Sequence, residues 1–431
     1  MGMKKRFKQR ETDVIMDGVV YRLVEGEYGV YTYTADLPSE VTVVSEIHSI
    51  PVTALLEGCF SDSQITNIQL PSSLKIIERG AFRGCKELME LKVPDNVYEV
   101  CGAAFKNCKG LKRLELGKHT KTLGWNLCEG CKSIEDFIVW DEVESFGSNM
   151  FWCGGKHLNY TEYSYGLYLG NPDNPYVILE WNVGIDSPQD GEKIIIDIHP
   201  NTKFVSSAAF NRFCDGAVQF ADIDEVVIHD GILKIDNGAF SAGFLIFNRE
   251  TIDTVRADNL ETLCRAGGGL LGRTKHLVIN EEEITDLVIP KHIHKIACNT
   301  FHYCSWLKTV IFEGDDITIE RGAFYHAANL TEVKFPQKVT EIGSGAFEWC
   351  RSLKRLELYT VDKISYQAFE RAGLKSIVFH GPVGKIYENA FAENPHLDTV
   401  IGFENVNEIE PLHGITPDPF VATPMEGKYI L

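Results

Sequence analysis

The sequence predicts a β-rich solenoid, in which short parallel strands wind into a right-handed, curved coil of about 22–23-residue repeats. Three observations predict it. The phrase "PSSLKIIERGAFRGCKEL" at Pro71–Leu88 returns nearly unchanged as "PQKVTEIGSGAFEWCRSL" at Pro336–Leu353. The Phe of that phrase recurs at Phe60, Phe82, Phe105, Phe151, Phe210, Phe240, Phe301, Phe324, Phe347, Phe369 and Phe391, with Cys128 in its place once. Finally, a short apolar segment precedes most of these positions at a fixed offset. The same interval separates Val93 from Phe105, Ile289 from Phe301 and Phe335 from Phe347, and only Leu358 to Phe369 is one shorter.

The segments read "LMELKV" at 88–93, "LKRLEL" at 111–116, "IEDFIV" at 134–139, "LKTVIF" at 307–312, "LTEVKF" at 330–335, "LKRLEL" at 353–358 and "LKSIVF" at 374–379. A repeat of roughly two dozen residues carrying L-x-x-L-x-L marks a leucine-rich solenoid. The spelling has a physical cause. A strand apolar at alternate positions buries one face and needs a neighbour on each side. Proline after it cannot donate to a ladder, so pairing stops there. A second apolar pair, such as Val339 and Ile342, brings the chain back across the core, and each Phe is expected to stack on that of the next coil.

Element by element, residues 1–45 hold "GVVYRLV", "YGVYTYT" and "EVTVV", three β-like runs. A solenoid end exposes its core, so these are expected to form an N-terminal strand cap. Regular repeats follow over 46–152. A divergent insert with "NPDNP" turn chemistry spans 153–200, and repeats resume over 201–240. A second irregular insert covers 241–283, the second repeat block 284–400, and 401–431 forms a C-terminal cap or tail.

The phrases "IPVTALLEGCF", "LPSSLKIIERGAFRGC" and "FPQKVTEIGSGAFEWC" resemble the BspA-type leucine-rich repeats, with their Ile-Pro, Val-x-x-Ile-Gly, Ala-Phe and Cys positions. The likeness covers about residues 38 to 400 and extends to the inserts "LYLGNPDNPYVIL" and "HLVINEEEITDLVIP". Cys128 departs from it, as does Asn280-Glu281 where an Asn-Gly hairpin turn is usual. The resemblance implies surface-associated microbial proteins, some of them adhering to host or neighbouring-cell proteins.

Sixty-one acidic against 42 basic residues give a net charge of -19. That balance argues against a nucleic-acid binder, which carries a basic patch, and against docking on an anionic membrane. No run reaches the roughly 18 apolar residues of a spanning helix. The opening "MGMKKRFKQRETDVIMDG" has positive charges but no apolar stretch behind them, and does not read as a signal peptide.

No catalytic constellation or cofactor site is evident, so the expectation is a non-enzymatic protein. Cys85, Cys108, Cys131, Cys304 and Cys350 all lie three residues after the Phe position, which suits small buried turn-fillers better than a metal or redox ladder. Cys128 and Cys131 form a C-x-x-C, but one member belongs to the repeat. The densest group of ligand types is His292, His294, Cys298 and His302 with Cys304. By repeat phase the first three fall at positions that are polar elsewhere, so an exposed polar edge is favoured over a metal-dependent enzyme. "RAGGGLLG" at 265–272 lacks the Lys-Ser/Thr of a phosphate loop.

What remains is the outward sheet face. The residue between the last two apolar positions of each segment runs Gln69, Lys92, Glu115, Ile138, Val227, Val288, Ile311, Lys334, Glu357, Val378 and Ile401. Ile138, Val227, Val288 and Ile311 put bare aliphatics where a solvated sheet carries polar groups. They are the candidate contact residues for a protein partner. An insert folding over them, or simple strand propensity, would explain them equally well. A spacer and an intracellular scaffold are the other readings of the whole chain.

Overall fold

The protein's structure, a computed structural model, describes residues 10, 12–151, 157–182, 193–206, 209, 223–236, 239, 252–411 and 418–428. Alternation sets the architecture: Leu91, Leu114 and Phe137 point inward from three consecutive short strands, while the residues on either side of each point out. The chain divides into two units, Met1–Glu162 with Leu167–Glu180, and Tyr163–Gly166 with Trp181–Leu431.

In the first unit, Val14–Met16, Val19–Val24 and Glu27–Tyr33 form an antiparallel meander whose last strand pairs in parallel with Ile50–Leu55. Val19, Val20, Tyr21 and Val30 of these strands are buried. Arg22 binds Asp13 through two hydrogen bonds of 2.8 Å and lies 3.4 Å from the centre of the Tyr31 ring. The guanidinium holds the Asp13 carboxyl below the usual carboxylate range. Beyond Ile50–Leu55 the ladder continues in parallel through Ile76–Ile77, Glu99–Val100, Thr122–Leu123 and Ser145–Phe146. A second parallel ladder, Glu90–Lys92, Arg113–Glu115 and Asp136–Ile138, forms the other wall.

In the second unit, Ile195–Asp197, Ile223–Ile228, Ile252–Ala257 and Thr274–Ile279 pair in parallel, and Glu282–Ile284 folds back antiparallel on the last. That hairpin turns on Asn280 and Glu281, both left-handed with φ of 50° and 68°, so Glu occupies a place glycine fills at less cost. The Gly-rich stretch follows a helix, Leu260–Ala266, capped by the Asn259 side chain. Gly268, at φ +88°, packs directly under the Ile235 carbonyl, where a Cβ would collide. Thus the rhythm breaks here because a helix replaces the Phe-bearing return.

The second block has two walls. One holds Asp286–Ile289, Thr309–Phe312 and Glu332–Lys334, then Arg355–Leu358, Ser376–Phe379 and Thr399–Ile401. The other runs from Lys295–Ile296 through Asp316–Ile319, Lys338–Ile342, Thr360–Ile364 and Val383–Tyr387 to Val406–Glu410.

Between the walls the Phe rings stack. Phe60, Phe82 and Phe105 are 5.7 and 5.5 Å apart. Phe301, Phe324, Phe347, Phe369 and Phe391 follow at 5.0 to 5.5 Å, each pair within 12° of parallel. Phe210 and Phe240 lie outside the described residues. One ring is absent from the sequence expectation: Phe420 stacks on Phe391 at 5.4 Å, and its turn accepts Phe391 N–H at the Pro419 carbonyl. It comes too far along the chain from Phe391 to fit the regular step.

From Phe60 to Phe105 and from Phe301 to Phe391, each stacked turn bends through two left-handed residues, two before and two after the Phe. Gly80 and Gly84 flank Phe82 in this way, Ala103 and Asn107 flank Phe105, and Gly345 and Trp349 flank Phe347. This geometry lets the Phe N–H reach the next coil, as in Phe82 N–H to the Ala104 carbonyl at 2.8 Å.

Candidate functional site

The outward sheet residues stand where strand pleating puts them, but they do not form one apolar stripe. In the first unit Ile138 is half-buried and closes a charged ladder. Lys92 pairs with Glu115 at 2.8 Å, and Arg113 reaches both Glu115 at 3.4 Å and Asp136 at 3.2 Å.

Val227 lies in register between Asp197 and Arg256, so polar neighbours flank it on both sides. Arg256 binds Glu225 at 2.6 Å. Two residues past Val227, His229 bridges Asp197 at 2.7 Å and Asp258 at 3.1 Å, while Tyr163 donates to Asp197 at 2.6 Å. Burial opposes a charge on this imidazole, but the two carboxylates outweigh burial and raise its pKa. Both ring nitrogens are engaged, which leaves none free to act as a catalytic base. Sequence reasoning missed this group, because its members come from separate coils of unequal length that break the repeat.

Val288 and Ile311 are direct neighbours across two paired strands. Val288 is 42% exposed, and Ile311 is half-buried. Further along the block, Val378 and Ile401 repeat the arrangement, with Ile401 57% exposed. The second pair was visible in the row of outward residues yet was not among the candidates. Between the two pairs sit Lys334, 3.5 Å from Glu332, and Glu357, 2.6 Å from Arg355.

The histidine-rich stretch does not converge. His292 approaches Glu261 at 3.7 Å, His294 binds Asp316 at 2.9 Å, and Cys298 lies 3.2 Å from Glu320. His302 stacks on Tyr325 at 5.1 Å. Among the described residues no three His, Cys, Asp or Glu side chains are placed to hold a metal ion.

That stacking belongs to an aromatic row on the turns. Tyr303 packs on His326 at 4.6 Å and His326 on Trp349 at 6.0 Å, and the guanidinium carbons of Arg351 and Arg371 each lie 4.5 Å from the centre of the Trp349 ring.

The repeat cysteines are buried, and four of their thiols donate to the Phe carbonyl one coil back. Cys85 bonds Phe60, Cys108 bonds Phe82, Cys131 bonds Phe105 and Cys350 bonds Phe324, at 3.0 to 3.2 Å. Burial pushes the Cys304 and Cys350 thiols well above the ordinary range. Among the described residues no helix is long and apolar enough to cross a membrane.

A family model described as the BspA type leucine-rich repeat region matches six copies over residues 51–164 and 278–410, more than half of the chain. No curated protein matches in sequence. Among solved structures, the chain is similar to a leucine-rich cell surface protein of Faecalibacterium prausnitzii A2-165, at 17% identity and TM-score 0.35 over 91% of this chain and 96% of that one. A leucine-rich repeat protein of Bacteroides ovatus aligns at 18% identity and TM-score 0.35, over 92% and 90%. The pneumococcal vaccine antigen PcpA aligns at 13% identity and TM-score 0.33, over 93% and 99%.

Proposed function

The chain belongs to the BspA-type leucine-rich repeat family, and on that premise we propose that it is a non-enzymatic recognition module that binds a protein through its outward sheet face. The observation that carries this reading is the adjacency of Val288 and Ile311, bare aliphatics side by side on the outward sheet face. A solvated strand gains nothing from exposing them, whereas a partner that covers them removes apolar surface from water. The finer reading is an adhesin-like role on the cell surface, with a host or neighbouring-cell protein as partner. It draws on the family.

The direct test replaces Val288 and Ile311 with Ser and compares partner capture at equal fold content. Loss of binding supports the reading. Undiminished binding by the folded variant contradicts it.

The cysteines favour a second reading, an intracellular interaction scaffold. Ten described thiols are all free, and such thiols persist best in a reducing compartment. Protease treatment of intact native cells separates the two. Loss of the protein supports the surface role, and survival until lysis supports the scaffold.

A further inference from the structure

We propose that the outward sheet face of the second block pairs with a second copy of this chain. The inference rests on the reading of that face as a recognition surface and supplies its partner.

Over six successive coils the outward residues run Val288, Ile311 and Lys334 on one three-stranded sheet, then Glu357, Val378 and Ile401 on the next, the two sheets following each other without strand pairing between Lys334 and Glu357. By type the row reads apolar, apolar, cation, anion, apolar, apolar. Turned end for end, the aliphatics still fall on aliphatics, and each central charge meets its opposite. A two-fold axis parallel to the strands, midway between Glu332–Lys334 and Arg355–Leu358, performs that operation on two facing copies. Val288 then meets the partner's Ile401, Ile311 the partner's Val378, and Lys334 the partner's Glu357.

The row two residues earlier runs Asp286, Thr309, Glu332, Arg355, Ser376 and Thr399; it matches at its four central positions, and at its ends the Asp286 carboxylate meets the partner's Thr399 hydroxyl. Glu332 meets the partner's Arg355, and the Thr309 hydroxyl meets that of the partner's Ser376. A self-complementary patch is what an isologous dimer requires. The central charges also remain matched. Lys334 already pairs with Glu332 on its own strand, and Glu357 with Arg355 and with His380, so docking merges pairs that are already formed, while the Asp286 carboxylate at the end of the patch keeps its Thr309 hydroxyl.

Each three-stranded half of the row is about 10 Å long at roughly 4.8 Å per strand. Two such rows cover less than the approximately 800 Å² per partner of a stable interface, so the dimer is expected to be weak and concentration-dependent.

Sedimentation equilibrium on the full chain, from about 5 to 200 µM, reads this directly. The expected result is a rise from monomer to dimer mass across that range. Lys334→Glu alone, or Glu357→Lys alone, places like charges together twice per dimer and should weaken self-association about tenfold or more. Mixing the two variants restores both attractive contacts, so the mixture should dimerise where neither variant does. Monomer mass at every concentration overturns the proposal, as does a mixture no tighter than its components. Capture of a different protein from this face by a strictly monomeric chain would overturn self-pairing while leaving the recognition reading standing.

Discussion

The ring of Phe347 lies 5.1 Å from that of Phe369, with the two planes 2° apart. Neither side chain is exposed, and each is one link in a stack that ends on Phe420. Removing a link leaves a cavity that adjacent coils cannot close, because backbone hydrogen bonds hold their spacing. Phe347→Ala is therefore expected to destabilise the second unit by about 3–5 kcal/mol. Urea unfolding checks this, and a loss below about 1 kcal/mol would contradict the stack's role.

The flanking left-handed residues make a prediction of opposite sign. Ala103 adopts φ 57°, a conformation that costs a Cβ-bearing residue but not glycine. Ala103→Gly should leave stability unchanged or raise it by about 0.5–1 kcal/mol. At Gly84, φ 76°, an added Cβ would collide with the Asp62 carboxylate, so Gly84→Ala should destabilise. Thermal melts of the two variants, compared with the parent, decide it.

His229 should make stability depend on pH. Its folded pKa is raised by Asp197 and Asp258 against the opposing effect of burial. The contribution is therefore fully present below the unfolded value, about 6.5, and is lost as pH rises through the higher folded value. His229→Gln should lower the melting temperature more at pH 6 than at pH 9. An equal loss at both would contradict a charged imidazole.

The thiols predict a labelling order. Cys85, Cys108, Cys131 and Cys350 are buried and hydrogen-bonded, whereas Cys101 and Cys298 are half-buried. Among the described thiols, alkylation of the native protein should reach Cys101 and Cys298 first, and slowly, since burial pushes the Cys101 thiol up to about 12. Peptide mapping after timed labelling checks the order. Cys350→Ser keeps a donor for the Phe324 carbonyl, much as Asn394 serves Phe369 in the last block, and is expected to cost less than about 1.5 kcal/mol.

The repeat made most of the fold legible. Wherever two coils share the step, the sequence spacing places Phe on Phe and the outward residues side by side, as with Val288 and Ile311. Where the step changes, spacing carries no register. Val227 reads as one more aliphatic in the row, yet its neighbours Asp197 and Arg256 come from coils of unequal length, and only the strand pairing reveals them. The same irregularity hid the grouping of His229 with two aspartates. Phe420 escaped because the chain takes a longer path to it from Phe391 than the regular step allows. The glycines at 267–269 have no local signal for the tight packing they permit, since Ile235 lies far back in the sequence.

Side-specific cross-linking in the native cell tests the central claim most directly. A photoreactive side chain at half-buried Ile311 probes the proposed recognition face, and one at exposed Tyr98, in the first unit, serves as the reference. The account predicts that Ile311 joins to a discrete polypeptide, whether another protein or a second copy of the chain, while Tyr98 does not. Cross-links from Tyr98 with none from Ile311 would contradict it.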